Sequence, residues 1–126
     1  MAKFIEMDDR FTLNDQMESQ TSGPVILINK FNVNSNEVDQ FLKAWEEDAT
    51  KFKEQKGFIS TQLHRGIGKS TVFINYAVWE SLKHFKEAVE NVMTSDPQSK
   101  LDKYPESLMI SPHLFKKVSV PGICGN

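Results

Sequence analysis

Residues 71–79 read TVFINYAVW, a run of mainly β-branched and aromatic side chains, which favour a β-strand. Side chains alternate across a strand, so every second residue lies on the same face. One face carries Phe73, Asn75, Ala77 and Trp79, and the other carries Val72, Ile74, Tyr76 and Val78. Both faces are largely apolar, which predicts a strand that is covered on both sides.

The segment that precedes this strand has a similar pattern and is followed by a helix. Residues 24–34 read PVILINKFNVN and predict another strand with two apolar faces. Apolar residues then recur at spacings of three and four, on one helical face: Val38, Phe41, Leu42, Trp45, Ala49 and Phe52. Asn34 and Glu37 have the spacing of a capping pair, and Lys56-Gly57 predicts the end of the helix.

A hairpin and a second helix complete the middle of the chain. Residues 58–65, FISTQLHR, predict a strand that joins the strand at 71–79 through the glycine-containing loop 66–70. The next apolar residues have helical spacing: Leu82, Phe85, Val89, Val92 and Met93. Asp96-Pro97 predicts a short helical turn through about Lys103, and the last strand is expected at 114–120.

The order strand, helix, strand, strand, helix, strand predicts an α+β, ferredoxin-like βαββαβ domain with an antiparallel sheet. Two helices cover only one face of such a sheet, so we expect a second copy to bury the other face in a homodimer. We place the domain at residues 24–121 and a short tail at 122–126. Residues 1–23 form a polar arm that either packs on a neighbour or stays disordered.

Composition limits the classes of function. The chain has 126 residues, of which 39% are hydrophobic and 25% charged, enough for one domain with its own core. A net charge of −2 is not typical of a nucleic-acid-binding protein. The chain has neither a membrane-spanning apolar run nor a signal-peptide pattern, so we expect a cytoplasmic protein that does not bind membranes.

Several motifs have a simple structural interpretation. Gly68-Lys69-Ser70 lacks the upstream glycine and the following helix of a phosphate-binding loop, so it is read as a hairpin turn. His64, His84 and His113 do not have metal-ligand spacing, and Cys124 is a single cysteine. These observations predict no metal site and no disulfide.

Two asparagines within apolar strand faces point to a binding site. Asn29 lies between Leu27 and Phe31 on one strand face, and Asn75 shares its face with Trp79. A buried carboxamide needs hydrogen-bond partners, so these residues either brace the sheet or line a small-molecule pocket.

The run Asn75–Ser81, NYAVWES, resembles the antibiotic biosynthesis monooxygenase family, as do residues 57–60, His64 and Asp96-Pro97. The resemblance implies a dimeric α/β barrel of ferredoxin-like subunits. It also implies oxidation of a phenolic or anthrone-like substrate by dioxygen without a cofactor. Asn75 and Trp79 would then be catalytic donors to a developing oxyanion.

The resemblance also suggests residues that bind the substrate. We assign this role to Asn29, Phe85, Lys103 and His64. Phe85 stands where quinone-forming relatives have a tyrosine, and Lys100 or Lys103 stands where they have an arginine. Lysine keeps the charge but loses planar bidentate bonding.

Two alternatives stay open at this point. Asn29 and Trp79 also resemble residues of the haem-degrading branch of the superfamily, although the histidine ligand of that branch has no clear counterpart here. The third possibility is a non-catalytic dimeric binding module, in which both asparagines only brace the sheet.

Overall fold

The computed structural model describes residues 1–93 and 101–125 and contains one five-stranded sheet. The strands are β1 (Lys3–Phe4), β2 (Val25–Asn32), β3 (Phe58–Arg65), β4 (Val72–Trp79) and β5 (Met109–Phe115). Their spatial order is β1-β5-β2-β4-β3, and β2 to β5 are paired antiparallel. Together with the two long helices, β2 to β5 form the predicted βαββαβ unit, so the α+β ferredoxin-like fold is confirmed.

The helices are α1 (Leu13–Met17), α2 (Val38–Lys53) and α3 (Leu82–Met93), and a 3-10 turn at Ser35–Glu37 precedes α2. The face of β4 that carries Phe73 and Trp79 is buried. One core cluster surrounds Phe41, whose ring lies 4.9 Å from the rings of Phe31 and Phe73. The other cluster surrounds Trp79. Phe73 and Trp79 are six positions apart on β4, about 20 Å, so the clusters occupy opposite ends of the interior.

The opposite face of the sheet is apolar and open in the single chain. Ile74 and Tyr76 are each 39% exposed there, and Met109 and Phe115 on β5 are exposed to a similar degree. We call this surface, with Ile74, Tyr76, Met109 and Phe115, the outer face. The alternation predicted for residues 71–79 therefore separates a buried inner face from an outer face that none of the described helices covers.

The N-terminal arm packs on the sheet of its own chain. β1 pairs in parallel with the start of β5, and Thr12 caps α1 through a reciprocal capping box with Asp15. Gln16 then hydrogen-bonds to both backbone groups of Leu114. The arm thus covers two stretches of the exposed edge of β5, which is the edge by which a sheet recruits further strands.

The last strand was predicted at 114–120, and this was wrong: β5 runs from Met109 to Phe115. Ile110 and Leu114 face inward opposite Phe31 and Leu27, so the apolar alternation begins earlier than expected. Pro112 argues against a strand on sequence grounds. It is tolerated here because β1 pairs only with Met109 and Ile110, which leaves Pro112 on an edge.

Two local predictions at helix ends were wrong. Asn34 makes no side-chain capping hydrogen bond, because the 3-10 turn separates it from α2. The helix end predicted at Lys56-Gly57 comes too late, because α2 ends at Lys53 with Glu54 as its C-cap; Gly57 takes a left-handed φ of +88° in the turn that leads into β3. The turn predicted at Asp96-Pro97 lies outside the described residues, as does Lys100.

Within residues 1–93 and 101–125, no helix is both long and apolar enough to cross a membrane.

Candidate functional site

A cavity of about 380 Å³ lies between the inner face of the sheet and helices α2 and α3. Its wall is mostly apolar and includes Leu27, Phe31, Trp45, Phe52, Phe58 and Val89. Five polar or amphipathic side chains also reach it: Asn29, Asp48, Thr61, Asn75 and Tyr104. A volume above about 300 Å³ with a few converging polar groups is typical of a small-molecule site.

Asn29 and Asn75 lie side by side at the centre of the sheet. They are direct cross-strand partners on β2 and β4, and both line the cavity. The hydroxyl of Thr61 donates a hydrogen bond of 2.5 Å to Oδ1 of Asn75. This bond orients the carboxamide, and Nδ2 of Asn75 makes no hydrogen bond to any other described residue. Its two N–H donors are therefore left for a ligand.

Trp79 is 2% exposed and is held by three aromatic rings. The rings of Phe52, Phe58 and Phe85 stand edge-on to the indole at centroid distances of 6.3, 5.4 and 5.9 Å. This packing fixes the plane of the indole, and Trp79 also lines the cavity. The indole thus has one orientation with respect to anything bound there.

Two buried polar atoms of the cavity wall have no hydrogen-bond partner among the described residues. They are Nε1 of Trp79, which can only donate, and Oδ1 of Asn29, which can only accept. Leaving such an atom unpaired inside a protein costs about 1–3 kcal/mol. The inner face therefore retains hydrogen-bonding groups that a bound molecule would satisfy.

A second polar group at the cavity combines α2 with the segment before β5. The Tyr104 hydroxyl donates to Oδ2 of Asp48 at 2.6 Å, and Lys103 Nζ lies 2.6 Å from Oδ1. Burial raises the pKa of the Tyr104 phenol, and the carboxylates of Asp48 and Glu47 raise it further. Tyr104 therefore stays protonated and acts as a donor to Asp48.

Most of the residues predicted for the site come together here. Asn29, Asn75, Trp79 and Phe85 all line the cavity. Lys103 is not part of the wall, because its ammonium group is bound by Asp48 and Glu47. It acts on the cavity only by holding Asp48.

His64 is the one predicted residue that lies on the other side of the sheet. It is the cross-strand partner of Ile74, so its side chain is on the outer face, and it is exposed. The register of the β3–β4 hairpin explains why His64 lies outside the cavity, because residues opposite each other on paired strands share a face.

Three residues of the cavity wall were not predicted from the sequence: Asp48, Thr61 and Tyr104. A signal for Asp48 was present, since it lies three residues after Trp45 and four before Phe52, within the apolar stripe of α2. Thr61 and Tyr104 reach the cavity only through tertiary packing.

The arm also contributes to the wall, through Phe4 of β1 and Leu13 of α1. Leu13 packs against the core cluster around Trp79. Residues outside the segment 24–121 thus help to close the cavity.

The donor set does not match that of a haem or metal site. All three histidines of the chain lie in the described part, and none lines the cavity. Within the described ranges, no three His, Cys, Asp or Glu side chains are grouped to hold a metal ion.

Residues 24–96 match the family profile described as antibiotic biosynthesis monooxygenase. No curated protein sequence matches the chain. A candidate monooxygenase from Shewanella loihica PV-4 is 30% identical over 80% of this chain and 100% of its own, with a TM-score of 0.67.

Two further solved structures share the fold at lower identity. SnoaB, a cofactor-independent oxygenase from Streptomyces nogalater, is 21% identical over 80% of this chain and 99% of its own, with a TM-score of 0.65. A candidate antibiotic biosynthesis monooxygenase from Bordetella bronchiseptica is 18% identical over 78% of this chain and 100% of its own, with a TM-score of 0.61.

Proposed function

The chain belongs to the antibiotic biosynthesis monooxygenase family, and on this premise we propose that it oxidises a small phenolic or anthrone-like substrate with dioxygen and without a cofactor. One observation carries the proposal. The indole N–H of Trp79 is buried and unpaired among the described residues, in the wall of a largely apolar cavity that also receives the amide donors of Asn75. These donors suit a substrate whose oxygen becomes negatively charged.

The chemistry needs no metal or flavin when the substrate forms a stabilised anion. An anthrone-like ring loses a proton from its activated carbon to water, and the negative charge spreads onto its oxygen. The carbanion then reduces dioxygen and forms a carbon–oxygen bond, which gives a hydroperoxide after protonation. Loss of the second C–H proton and cleavage of the O–O bond release water and leave a carbonyl, so one oxygen atom enters the product and the other leaves as water.

The role of the protein is to stabilise the anion and to orient the ring. Trp79 N–H and Asn75 Nδ2 would donate to the substrate oxygen, and the fixed indole plane would keep that donor in place. The aromatic wall would keep bulk water away from the bound ring, which strengthens both hydrogen bonds. Loss of one such donor typically lowers turnover by about 10²–10³-fold.

The direct test is turnover by metal-free protein. We expect anthrone and dioxygen to be consumed faster than in buffer, with one ¹⁸O atom from labelled dioxygen in each product molecule. Trp79→Phe and Asn75→Ala should each lower the rate strongly, whereas Lys69→Ala on the exposed β3–β4 loop should not. If neither anthrone nor any other tested phenol reacts faster than in buffer, the proposal is rejected.

The haem alternative has less support, because no histidine lines the cavity. Adding haem and recording the Soret band tests it: a shifted band that is lost in Asn29→Ala would favour haem binding over the proposal above. A non-catalytic binding module would bind aromatic ligands without consuming dioxygen.

The proposal includes a homodimer formed through the outer face. Ile74 and Tyr76 are exposed side by side at the centre of the sheet, where a second copy would bury them. Analytical ultracentrifugation should give about twice the mass of one chain, and Ile74→Lys should give the monomer. A monomeric wild-type protein would contradict this part of the proposal.

A further inference from the structure

Apart from Asn29, whose buried Oδ1 lies beside Asn75 at the centre of the sheet, polar groups reach the cavity from two directions. One end, formed by Asn75 and Trp79, offers N–H donors and is called the donor end. The other, formed by Asp48 and Tyr104, is called the acceptor end. Tyr104 belongs to the core cluster around Phe41, whereas Trp79 belongs to the other core cluster.

The hydrogen bonds that Asp48 and Tyr104 already make leave the acceptor end able only to accept further hydrogen bonds. Asp48 accepts one short hydrogen bond on each oxygen, from Lys103 and from Tyr104, and its side chain is 13% exposed. A carboxylate has about four lone-pair positions, so each oxygen can accept one more bond. The Tyr104 proton is already donated to Asp48, so its oxygen can only accept. Lys103, the nearby cation, is not part of the wall.

Phe52 relates Asp48 of the acceptor end to Trp79 of the donor end. Asp48 and Phe52 are one turn apart on α2, about 6 Å along the helix axis. The Phe52 ring lies 6.3 Å from the Trp79 indole. A fused bicyclic or tricyclic ring system bridges such a gap, with the apolar wall along its length.

We propose that Asp48 and Tyr104 bind a hydroxyl group of the substrate at the end remote from the oxygen that Trp79 and Asn75 stabilise. The inference rests on the proposed function, because it concerns the same cavity and narrows the substrate class. The substrate is then a fused-ring aromatic with a hydrogen-bond donor at one end and a carbonyl or phenolate at the other. Lys103 is a positioning residue, since it acts through Asp48.

Binding of an unreactive ligand pair tests this separately from turnover. 6-Hydroxy-1-tetralone carries a carbonyl at one end and a hydroxyl at the other, and 6-methoxy-1-tetralone differs only by methylation of the hydroxyl. Calorimetric titration under argon should show that the wild-type protein binds the hydroxy compound at least about tenfold more tightly, as expected for a hydrogen bond to a charged acceptor.

Variants then assign the preference to the acceptor end. Asp48→Asn should abolish or invert the preference, because its amide can donate to an ether oxygen, and Tyr104→Phe should reduce it. The matched control Glu47→Gln removes the same charge from the neighbouring, half-exposed residue and should leave the preference unchanged. Thermal unfolding of each variant checks that it is folded.

The possible outcomes separate this inference from the proposed function. Equal affinities for the two ketones, no binding of either, or a preference that survives both Asp48→Asn and Tyr104→Phe would overturn it. A preference that depends on Asp48 in a protein that consumes no dioxygen would support the inference and reject the monooxygenase. Turnover in a protein that binds the two ketones equally would support the monooxygenase and reject the inference.

Discussion

Thr61 donates its hydroxyl proton to Oδ1 of Asn75 across the β3–β4 hairpin, at a distance of 2.5 Å. Thr61 stands opposite Ala77, one inward-facing position further along β4, so the bond is a diagonal one. An asparagine side chain without this bond can rotate and exchange the positions of its oxygen and nitrogen. Thr61 thus determines that Asn75 presents donors to the cavity, as an oxyanion requires.

Thr61→Val should lower turnover while leaving the fold intact, because valine has nearly the same shape but cannot donate. Loss of a hydrogen bond worth about 1 kcal/mol in orienting Asn75 corresponds to a decrease of about fivefold in kcat. Steady-state kinetics measure it. Thr50→Val is the control, since it removes a hydroxyl that only bonds to the carbonyl of Glu46 on the exposed side of α2. Equal rates for wild type and Thr61→Val would show that the Thr61 hydrogen bond is not required to orient the Asn75 carboxamide.

Asn29→Leu should stabilise the free protein and impair its activity. Oδ1 of Asn29 is buried and has no hydrogen-bond partner in the described part of the chain, so replacing the carboxamide by an apolar group of similar size should raise the free energy of unfolding by about 1 kcal/mol. Turnover should fall, because leucine lacks the carboxamide that Asn29 offers to a ligand. Such ligand-binding groups are often retained at a cost in stability. Urea unfolding measures the change in the free energy of unfolding, and steady-state kinetics measure the change in turnover. Asn32→Leu, near the end of the same strand, should leave turnover unchanged, and a less stable Asn29→Leu protein would refute the argument.

Gly57→Ala and Gly68→Ala differ in the space available for the added Cβ, which the sequence does not reveal. Both glycines have positive φ values, +88° and +69°, which strain any other residue. A Cβ on Gly57 would lie 2.3 Å from the His84 side chain, whereas one on Gly68 would meet no atom of a described residue within 4 Å. Gly57→Ala should therefore cost roughly 2–4 kcal/mol of stability and Gly68→Ala about 1 kcal/mol. Similar melting temperatures for the two variants would contradict this.

The parts of the fold that the sequence predicts are those governed by local periodicity. β2, β4 and α3 alternate or repeat strongly enough to be assigned from residue type alone. The position of β5 depends on pairing with β2 over a long sequence separation, and Pro112 obscures it. The N-terminal arm is held on β5 by the hydrogen bonds between Gln16 and the backbone of Leu114, which are contacts between residues 98 positions apart.

The same distinction applies to the candidate site. Strand parity places Asn29, Asn75 and Trp79 on one face, so their shared cavity follows from alternation. His64 could have been placed on the outer face by pairing the hairpin register in the same way. The bond between Tyr104 and Asp48 joins two segments 56 positions apart, and no local pattern encodes it.

Tyr104 should make the stability of the protein fall at high pH. Burial and the Asp48 carboxylate raise the pKa of its phenol above the ordinary value of 10.0, so the folded protein keeps a proton that the unfolded chain loses. The stabilisation is fully present below about pH 10 and is lost as the pH rises above it, by up to about 1.4 kcal/mol per pH unit. Urea unfolding between pH 8 and about pH 11 should show a steeper decline for wild type than for Tyr104→Phe. Parallel curves for the two proteins would mean that the Tyr104 phenol ionises as readily in the folded protein as in the unfolded chain.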